Sequence, residues 1–305
     1  MIRNYRIQDN RVVEDSGESP PILVVVDPTE DEKRVLISTF GLDEHTLNSS
    51  LDPDELSRLE FEPEHVATIY KRPMNYTGGD KMQFRTSSAG LFMFKDRMIL
   101  ILKEDLNIFS SRLFNKVGSM NDLWLRIIFT SISHFLEHLR GIYAVTGELE
   151  GKINTSLENK ALLQLFALEK SMVFYQNSIM TNGVLIERIK INAARLSLTP
   201  EETEFLDDMA IENTQCQRQA DIDSNILAGL MDARASIVGN NLNALMKTLN
   251  IITIAIMVPT LVVSAFSMNV TIPLQRHPYA FWIIMGFAMT SVVITSVWWL
   301  SRKTK

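Results

Sequence analysis

The last quarter of the chain changes its pattern of apolar and polar positions twice. Leu249 to Phe266 is an apolar run with no charged residue, and Tyr279 to Leu300 is a second. Each is long enough, at about 1.5 Å of rise per residue, to cross most of a hydrocarbon layer about 30 Å thick. In the first run the polar residues are ordered rather than scattered. Asn243, Asn250, Thr253, Thr260, Ser264 and Ser267 follow one another at steps of 3, 4 or 7, and Met246 and Met257 fill gaps in the series. That spacing predicts one stripe along a helix with a period near 3.5. Lipid offers a polar side chain no partner, so the stripe is expected to face other helices or water. One helix cannot enclose a pore, so the pattern predicts several copies around an axis and a membrane channel or transporter subunit. The second run has no comparable stripe and is expected on the lipid side, with Trp282, Trp298 and Trp299 near its two ends, where interfacial aromatics belong.

Upstream, the apolar spacing is helical. Met120 to Gly151 and Leu157 to Ala194 read as two long helices joined by a short polar turn near Lys152 to Ser156. Thr199-Pro200-Glu201-Glu202 then reads as a helix start, with Thr199 as cap, Pro200 at the first helical position and Glu202 completing a capping box. Nothing after it stops a helix before Pro259, so the spacing predicts one helix from Pro200 to about Met268, on the order of 100 Å long. The soluble part of that helix carries a partly apolar face through Leu206, Met209, Asn213, Ile222, Leu227 and Leu230. Pro259 is tolerable in a membrane span because Thr260, Ser264 or a neighbouring helix can take the carbonyl it frees.

The first hundred residues read as α/β. Ile22 to Val26 and Val35 to Ser38 are short β-branched runs, His65 to Lys71 and Lys81 to Arg85 read as strands, and Leu91 to Phe94 with Met98 to Leu102 as a hairpin about Lys95-Asp96-Arg97. Asp52-Pro53 has the form of a helix start, and Gly78-Gly79-Asp80 that of a turn without the strand–glycine–helix context of a phosphate loop.

Charge divides the chain in the same place as hydropathy. The mean hydropathy of +0.04 averages two unlike parts. Residues 1 to 232 hold all 36 acidic residues and 24 of the 30 basic ones, a net charge of −12 before histidines. So acidic a region argues against nucleic acid as a partner and suits divalent cations, or simply a solvated surface. The single cysteine, Cys216, excludes a disulfide framework and a thiolate metal site. No apolar segment follows the N-terminus, so no signal peptide is expected. Lys247 before the first span and Arg302, Lys303 and Lys305 after the second put both ends in the cytosol by the positive-inside rule, with only Arg276 outside.

One motif suggests an enzyme. His134-Phe135-Leu136-Glu137-His138 matches the His-x-x-Glu-His pattern of a zinc peptidase class, with two imidazoles on one helix face; no third ligand is evident, Glu148 and Glu150 being the nearest candidates. Its apolar neighbours equally suit helix packing.

The end of the first span carries a family resemblance. Pro259-Thr260-Leu261-Val262-Val263-Ser264-Ala265-Phe266-Ser267-Met268-Asn269, followed by a short loop and a second span ending in basic residues, resembles the CorA family of divalent-cation channels, whose signature there is Gly-Met-Asn. The resemblance runs over roughly residues 60 to 305 and includes Asn240 to Lys247 at the stalk-to-membrane junction. It implies a cytosolic α/β domain (1–115), a helical hairpin (116–198), a stalk helix continuing into the first membrane helix (199–268), an outer loop (269–278) and a second membrane helix with a basic tail (279–305). It also implies a funnel-shaped homopentamer in the cell membrane, conducting magnesium, with cobalt and nickel as further candidates. Pore rings would come from Asn243, Met246, Leu249, Asn250, Met257 and Asn269, with Asn269 at the outer mouth and the methionines and leucine as hydrophobic constrictions. Helix packing and helix–helix hydrogen bonding are the alternative readings of these side chains. Lys247 with Arg302, Lys303 and Lys305 would form a basic collar. Magnesium would also be the regulatory ion, held by Asp208 with Asp207, Glu204 or Glu212 nearby and by an acid of the next subunit, for which Glu62, Glu64 and Asp80 are candidates. Two departures from the family pattern stand out: Ser267 replaces the signature glycine, and the outer loop has Gln275, Arg276 and His277 where many relatives carry a glutamate. A zinc transporter of the same superfamily and a non-conducting receptor or scaffold are the competing functions.

Overall fold

The computed structural model describes the chain except for residues 18–19, 76–82, 156–158, 271–272, 274–275 and 304–305. It divides into two compact units, Met1–Met231 and Asp232–Lys305.

The first unit is built on a seven-stranded sheet. Its strands are β1 (Ile2–Gln8), β2 (Arg11–Glu14), β3 (Ile22–Val26), β4 (Arg58–Phe61), β5 (His65–Pro73), β6 (Thr86–Phe94) and β7 (Met98–Leu102), in the order β2-β1-β3-β7-β6-β5-β4. Only the β3–β7 pair is parallel. β7 is buried at all five positions, as its unbroken apolar run requires of a strand covered on both faces. The period of two then sorts its side chains. Met98, Leu100 and Leu102 enter the larger core, and Ile99 and Ile101 the smaller one beneath α1 (Glu30–Phe40) and α2 (Glu44–Ser49). The larger core is closed by α3 (Met120–Thr155), α4 (Asn159–Ile191) and the first part of α5 (Pro200–Ala265).

The strand over Ile22 to Val26, the hairpin about Lys95 to Arg97 and the strand from His65 form as expected; the remaining expectations for this region need correction. Val35 to Ser38 lies inside α1, not in a strand. The Thr29 capping box with Glu32 starts that helix and Gly41, at φ 67°, ends it; capping at both ends outweighs a weak β-branched preference. No helix starts at Asp52. The Asp52 carboxylate accepts the Asp54 N–H at 2.9 Å, the Ser88 hydroxyl takes the Asp52 carbonyl, and Lys71 Nζ donates to the Pro53 carbonyl at 2.6 Å. Carbonyls claimed by the sheet cannot serve a helix. The expected strand over Lys81 to Arg85 falls partly outside the described residues. Its remainder precedes β6, and the Phe84 N–H bonds the Ser171 hydroxyl at 3.1 Å instead of a strand. The Gly78 to Asp80 turn lies outside the described residues, as does Ser156; helix α3 continues through Lys152 as far as Thr155. β1 and β2 were not anticipated, because their alternation is masked by charged residues on an edge of the sheet.

Thr199 caps α5 as its sequence predicts: the Glu202 N–H donates to the Thr199 hydroxyl at 3.2 Å, and the Thr199 N–H to the Glu202 carboxylate at 2.9 Å. α6 (Ala280–Lys303) completes the chain.

Candidate functional site

In the first unit, α5 is held by a seam of buried residues spaced alternately by four and three: Glu202, Leu206, Met209, Asn213, Cys216, Ala220, Asp223 and Leu227. Three and four along a helix are one face. Asn213 fixes the depth of packing. Its Nδ2 donates to the Ile179 carbonyl at 3.1 Å, and a β-carbon on Gly183 would stand 2.9 Å from that same nitrogen. Asp223 is sealed in the seam with one oxygen unpartnered among the described residues; burial raises its carboxyl pKa, opposed by the Gln219 amide at 2.9 Å.

The candidate regulatory acids lie off this seam. Asp208 and Glu204 are exposed and Glu212 is half-buried, while Asp207 is ion-paired with Lys190 at 2.5 Å. That bond raises the Lys190 pKa. Glu62 and Glu64 are exposed on the turn before β5, and Asp80 lies outside the described residues. Among the described residues no three His, Cys, Asp or Glu side chains of the chain converge on one point.

The zinc-peptidase spacing resolves into packing. The His134 and His138 rings meet edge to face, with centroids 4.4 Å apart, and His138 Nδ1 lies 2.7 Å from the Tyr175 hydroxyl. Glu148 and Glu150 follow on the same helix at least ten residues later, about 15 Å along its axis, too far to ligate beside His138. Burial, then His138 and Arg72, lower the His134 pKa from 6.5 to about 4.

In the second unit, both helices are long and apolar enough to cross a membrane. Exposure separates the faces of α5. Ile251, Ala255, Val258, Pro259, Val262 and Phe266 are half-buried, whereas Asn243, Met246, Leu249, Asn250, Thr253, Met257, Thr260 and Ser264 are all exposed. At about 100° per residue the second set is centred on the side of the helix opposite the first. Lys247 belongs with the half-buried side, its ammonium 5.8 Å from the centre of the Trp299 ring on α6. The polar stripe therefore faces away from α6. Its threonine hydroxyls are internally satisfied, Thr253 donating to the Leu249 carbonyl at 2.9 Å and Thr260 to Ile256 at 2.6 Å. The Thr260 bond goes to Ile256 and not to Ala255, whose carbonyl Pro259 frees. Among the described residues, the Asn243 and Asn250 amides make no side-chain hydrogen bond within the chain.

The helix ends without strain. The Ser267 N–H and hydroxyl both donate to the Ser264 carbonyl, at 3.1 and 2.9 Å. Among the described residues the non-glycine positions of positive φ are Asp9, Asn10, Asp27 and Ser197, and Ser267 is not one of them. Serine thus occupies the signature position in an ordinary backbone conformation, with Met268 and Asn269 exposed just beyond. Arg302 and Lys303 end α6, and Lys305 lies outside the described residues.

Residues 21–302 match the family model for the CorA-like Mg2+ transporter protein. The chain belongs to this family. It is 23% identical over 282 residues to the cobalt/magnesium transport protein CorA of Methanocaldococcus jannaschii, covering 88% of this chain and 86% of that one. The complete structure of the CorA magnesium transporter from the same organism superimposes with a TM-score of 0.80 at 20% identity, over 97% of this chain and 95% of the other. The cytoplasmic domain of ZntB from Vibrio parahaemolyticus shares the fold of the first unit's elements, with a TM-score of 0.61 at 12% identity, over 78% and 98% of the two chains. The protein is accordingly a CorA-type membrane protein, with a cytosolic α/β region and two C-terminal membrane helices.

Proposed function

We propose that copies of this chain assemble, as a homopentamer, around a pore lined by α5, and that the pore conducts hydrated divalent cations with magnesium as the principal ion. The observation that carries this reading is the stripe of exposed amide, thioether and hydroxyl groups on the side of α5 away from α6. A membrane helix keeps unpaired amides only where water or another copy meets them. Asn243, Asn250 and Asn269 supply rings of amide oxygens. Magnesium gives up its water reluctantly, so amide oxygens that accept hydrogen bonds from bound water hold the ion without stripping it. Met246, Leu249 and Met257 supply apolar constrictions between those rings, able to close by losing water. Lys247 and the basic end of α6 mark the cytosolic side.

Gating falls to the acids of the stalk that lie off the buried seam. Asp208, with Glu212, and Asp207 once released from Lys190, presents carboxylates that a neighbouring copy completes into a divalent-cation site, closing the pore when internal magnesium is high. Cobalt, nickel and zinc are the competing cargoes. Flux into liposomes, measured with each of the four ions for wild type and Asn269→Ala, tests the proposal. Magnesium flux that collapses in the variant supports it. Zinc moving with a proton gradient while magnesium does not overturns the choice of ion, and intact pentamers passing no divalent ion overturn the pore. A variant that conducts as wild type removes Asn269 from the selectivity ring.

A further inference from the structure

The sheet face that packs on α3 carries hydrogen-bond donors without acceptors. Tyr70 and Arg72 are two residues apart on β5 and share one face of it. Both are more than nine-tenths buried, at 1% and 5% exposure. Among the described residues neither side chain has a hydrogen-bond or ion-pair partner, and Arg72 Nε is sealed from solvent without one. His134 on α3 is close enough for the Arg72 charge to act on it, and its ring likewise makes no hydrogen bond among the described residues. Its neighbour His138 is engaged by Tyr175. Glu104 is the one carboxylate acting on Arg72 among the described residues, and its Oε2 already accepts the Asn75 N–H at 3.0 Å.

A guanidinium does not escape burial by losing its proton, so an unpaired one inside a domain is among the least favourable arrangements a protein can hold. The inventory here is five N–H groups from Arg72, a phenolic O–H from Tyr70 and one N–H from a neutral imidazole, and among the described residues no hydrogen bond is made by any of them. We infer that Arg72, Tyr70 and His134 form a binding site in the cytosolic unit for a small oxyanion of the phosphate type. The planar fork of Arg72 matches two oxygens of such an ion, and the hydroxyl and imidazole reach the others. A metal is the wrong sign for this place, because a cation beside Arg72 would be repelled. Water alone would satisfy the donors and leave the charge to Glu104, which forms no ion pair with it and is already engaged by Asn75. The site lies in the first unit, uses none of the residues assigned to the pore, and stands or falls independently of that assignment.

The test uses the full-length protein in detergent and in magnesium-free, oxyanion-free buffer. Its unfolding midpoint is followed on adding inorganic phosphate, sulfate or glycerol phosphate, with sodium chloride at matched ionic strength as the control. Wild type is expected to gain several degrees, saturably, with phosphate. Arg72→Met is expected to match or exceed wild type without anion and to show no response to it. A shift with inorganic phosphate alone identifies the free ion as ligand; a shift with the ester as well identifies the phosphoryl group of a larger molecule. Either supports the site. An equal rise with chloride, an undiminished response in Arg72→Met, or no response in wild type overturns it. Should Arg72→Met fail to fold, the wild-type His134 imidazole resonance, assigned with His134→Gln, decides the matter: it moves with phosphate if the site exists and stays put if it does not.

Discussion

The Ser119 hydroxyl donates to the Glu202 carboxylate and so ties the first turns of two helices together. Ser119 also accepts the Asp122 N–H at 2.9 Å, capping α3, while Glu202 completes the capping box of α5 with Thr199. The cap of the helix that enters the membrane is thereby shared with the helix on which the cytosolic core is built.

This shared cap makes the two partners unequal. Thr199→Ala is expected to lose about 1 kcal/mol, the ordinary value of an N-cap. Glu202→Ala is expected to lose about 2 kcal/mol, because it removes both the buried carboxylate of the capping box and the acceptor of the Ser119 hydroxyl. Thermal unfolding of the detergent-solubilised protein measures both, and equal losses would mean that the Ser119 bond contributes nothing.

Lys247 and Trp299 hold α5 to α6 on the side away from the stripe. A cation over an indole face is worth about 0.5–2 kcal/mol. Lys247→Met and Trp299→Leu should therefore each lower stability, and the double variant should lose less than their sum by an amount in that range. Additive losses in the double-mutant cycle would show that the contact carries no energy.

Ser267→Gly is expected to leave divalent flux within about twofold of wild type and to lower stability by about 0.5–1 kcal/mol. The Ser267 backbone is outside the left-handed region, so glycine offers no release of strain and only adds freedom to the unfolded chain. A large rise in flux would instead make Ser267 itself a determinant of the outer mouth.

Acid should weaken the cytosolic unit through His134. The unfolded chain takes up a proton near pH 6.5, and the half-buried ring refuses it until about pH 4. Stability is therefore fully present above 6.5 and lost as pH falls from there towards 4. His65 and His138, also lowered by burial, act in the same direction. In oxyanion-free buffer, His134→Gln should flatten the decline of the unfolding midpoint in this interval without abolishing it, and a profile parallel to wild type would show that the ring is freely protonated in the folded state.

What could be read from the chain alone was local or periodic. The two apolar runs, the stripe from Asn243 to Ser264 and the start of α5 at Thr199 each depend on residues within a few turns of one another, and helix geometry converts their spacing directly into faces and ends. The misreadings came where distant groups compete for the same backbone. Asp52-Pro53 carries a helix-start signal, yet Lys71 and Ser88, far along the chain, claim its carbonyls. The His134–His138 pair has ligand spacing, yet Tyr175 and Arg72 surround it with a hydrogen-bonding hydroxyl and a positive charge.

Residue order and spacing were enough to establish that a polar line runs along one membrane helix and that an acidic α/β region precedes it. Only the tertiary structure decided which way that line looks, because the answer rests on where α6 lies against α5, and on Lys247 meeting Trp299 across the pair. The same holds for Ser267, whose dihedral angles follow from how α5 ends, and for Arg72, whose lack of a partner among the described residues emerges only once β5 is laid on α3. Periodicity is a property of one element, whereas orientation and burial belong to pairs of them.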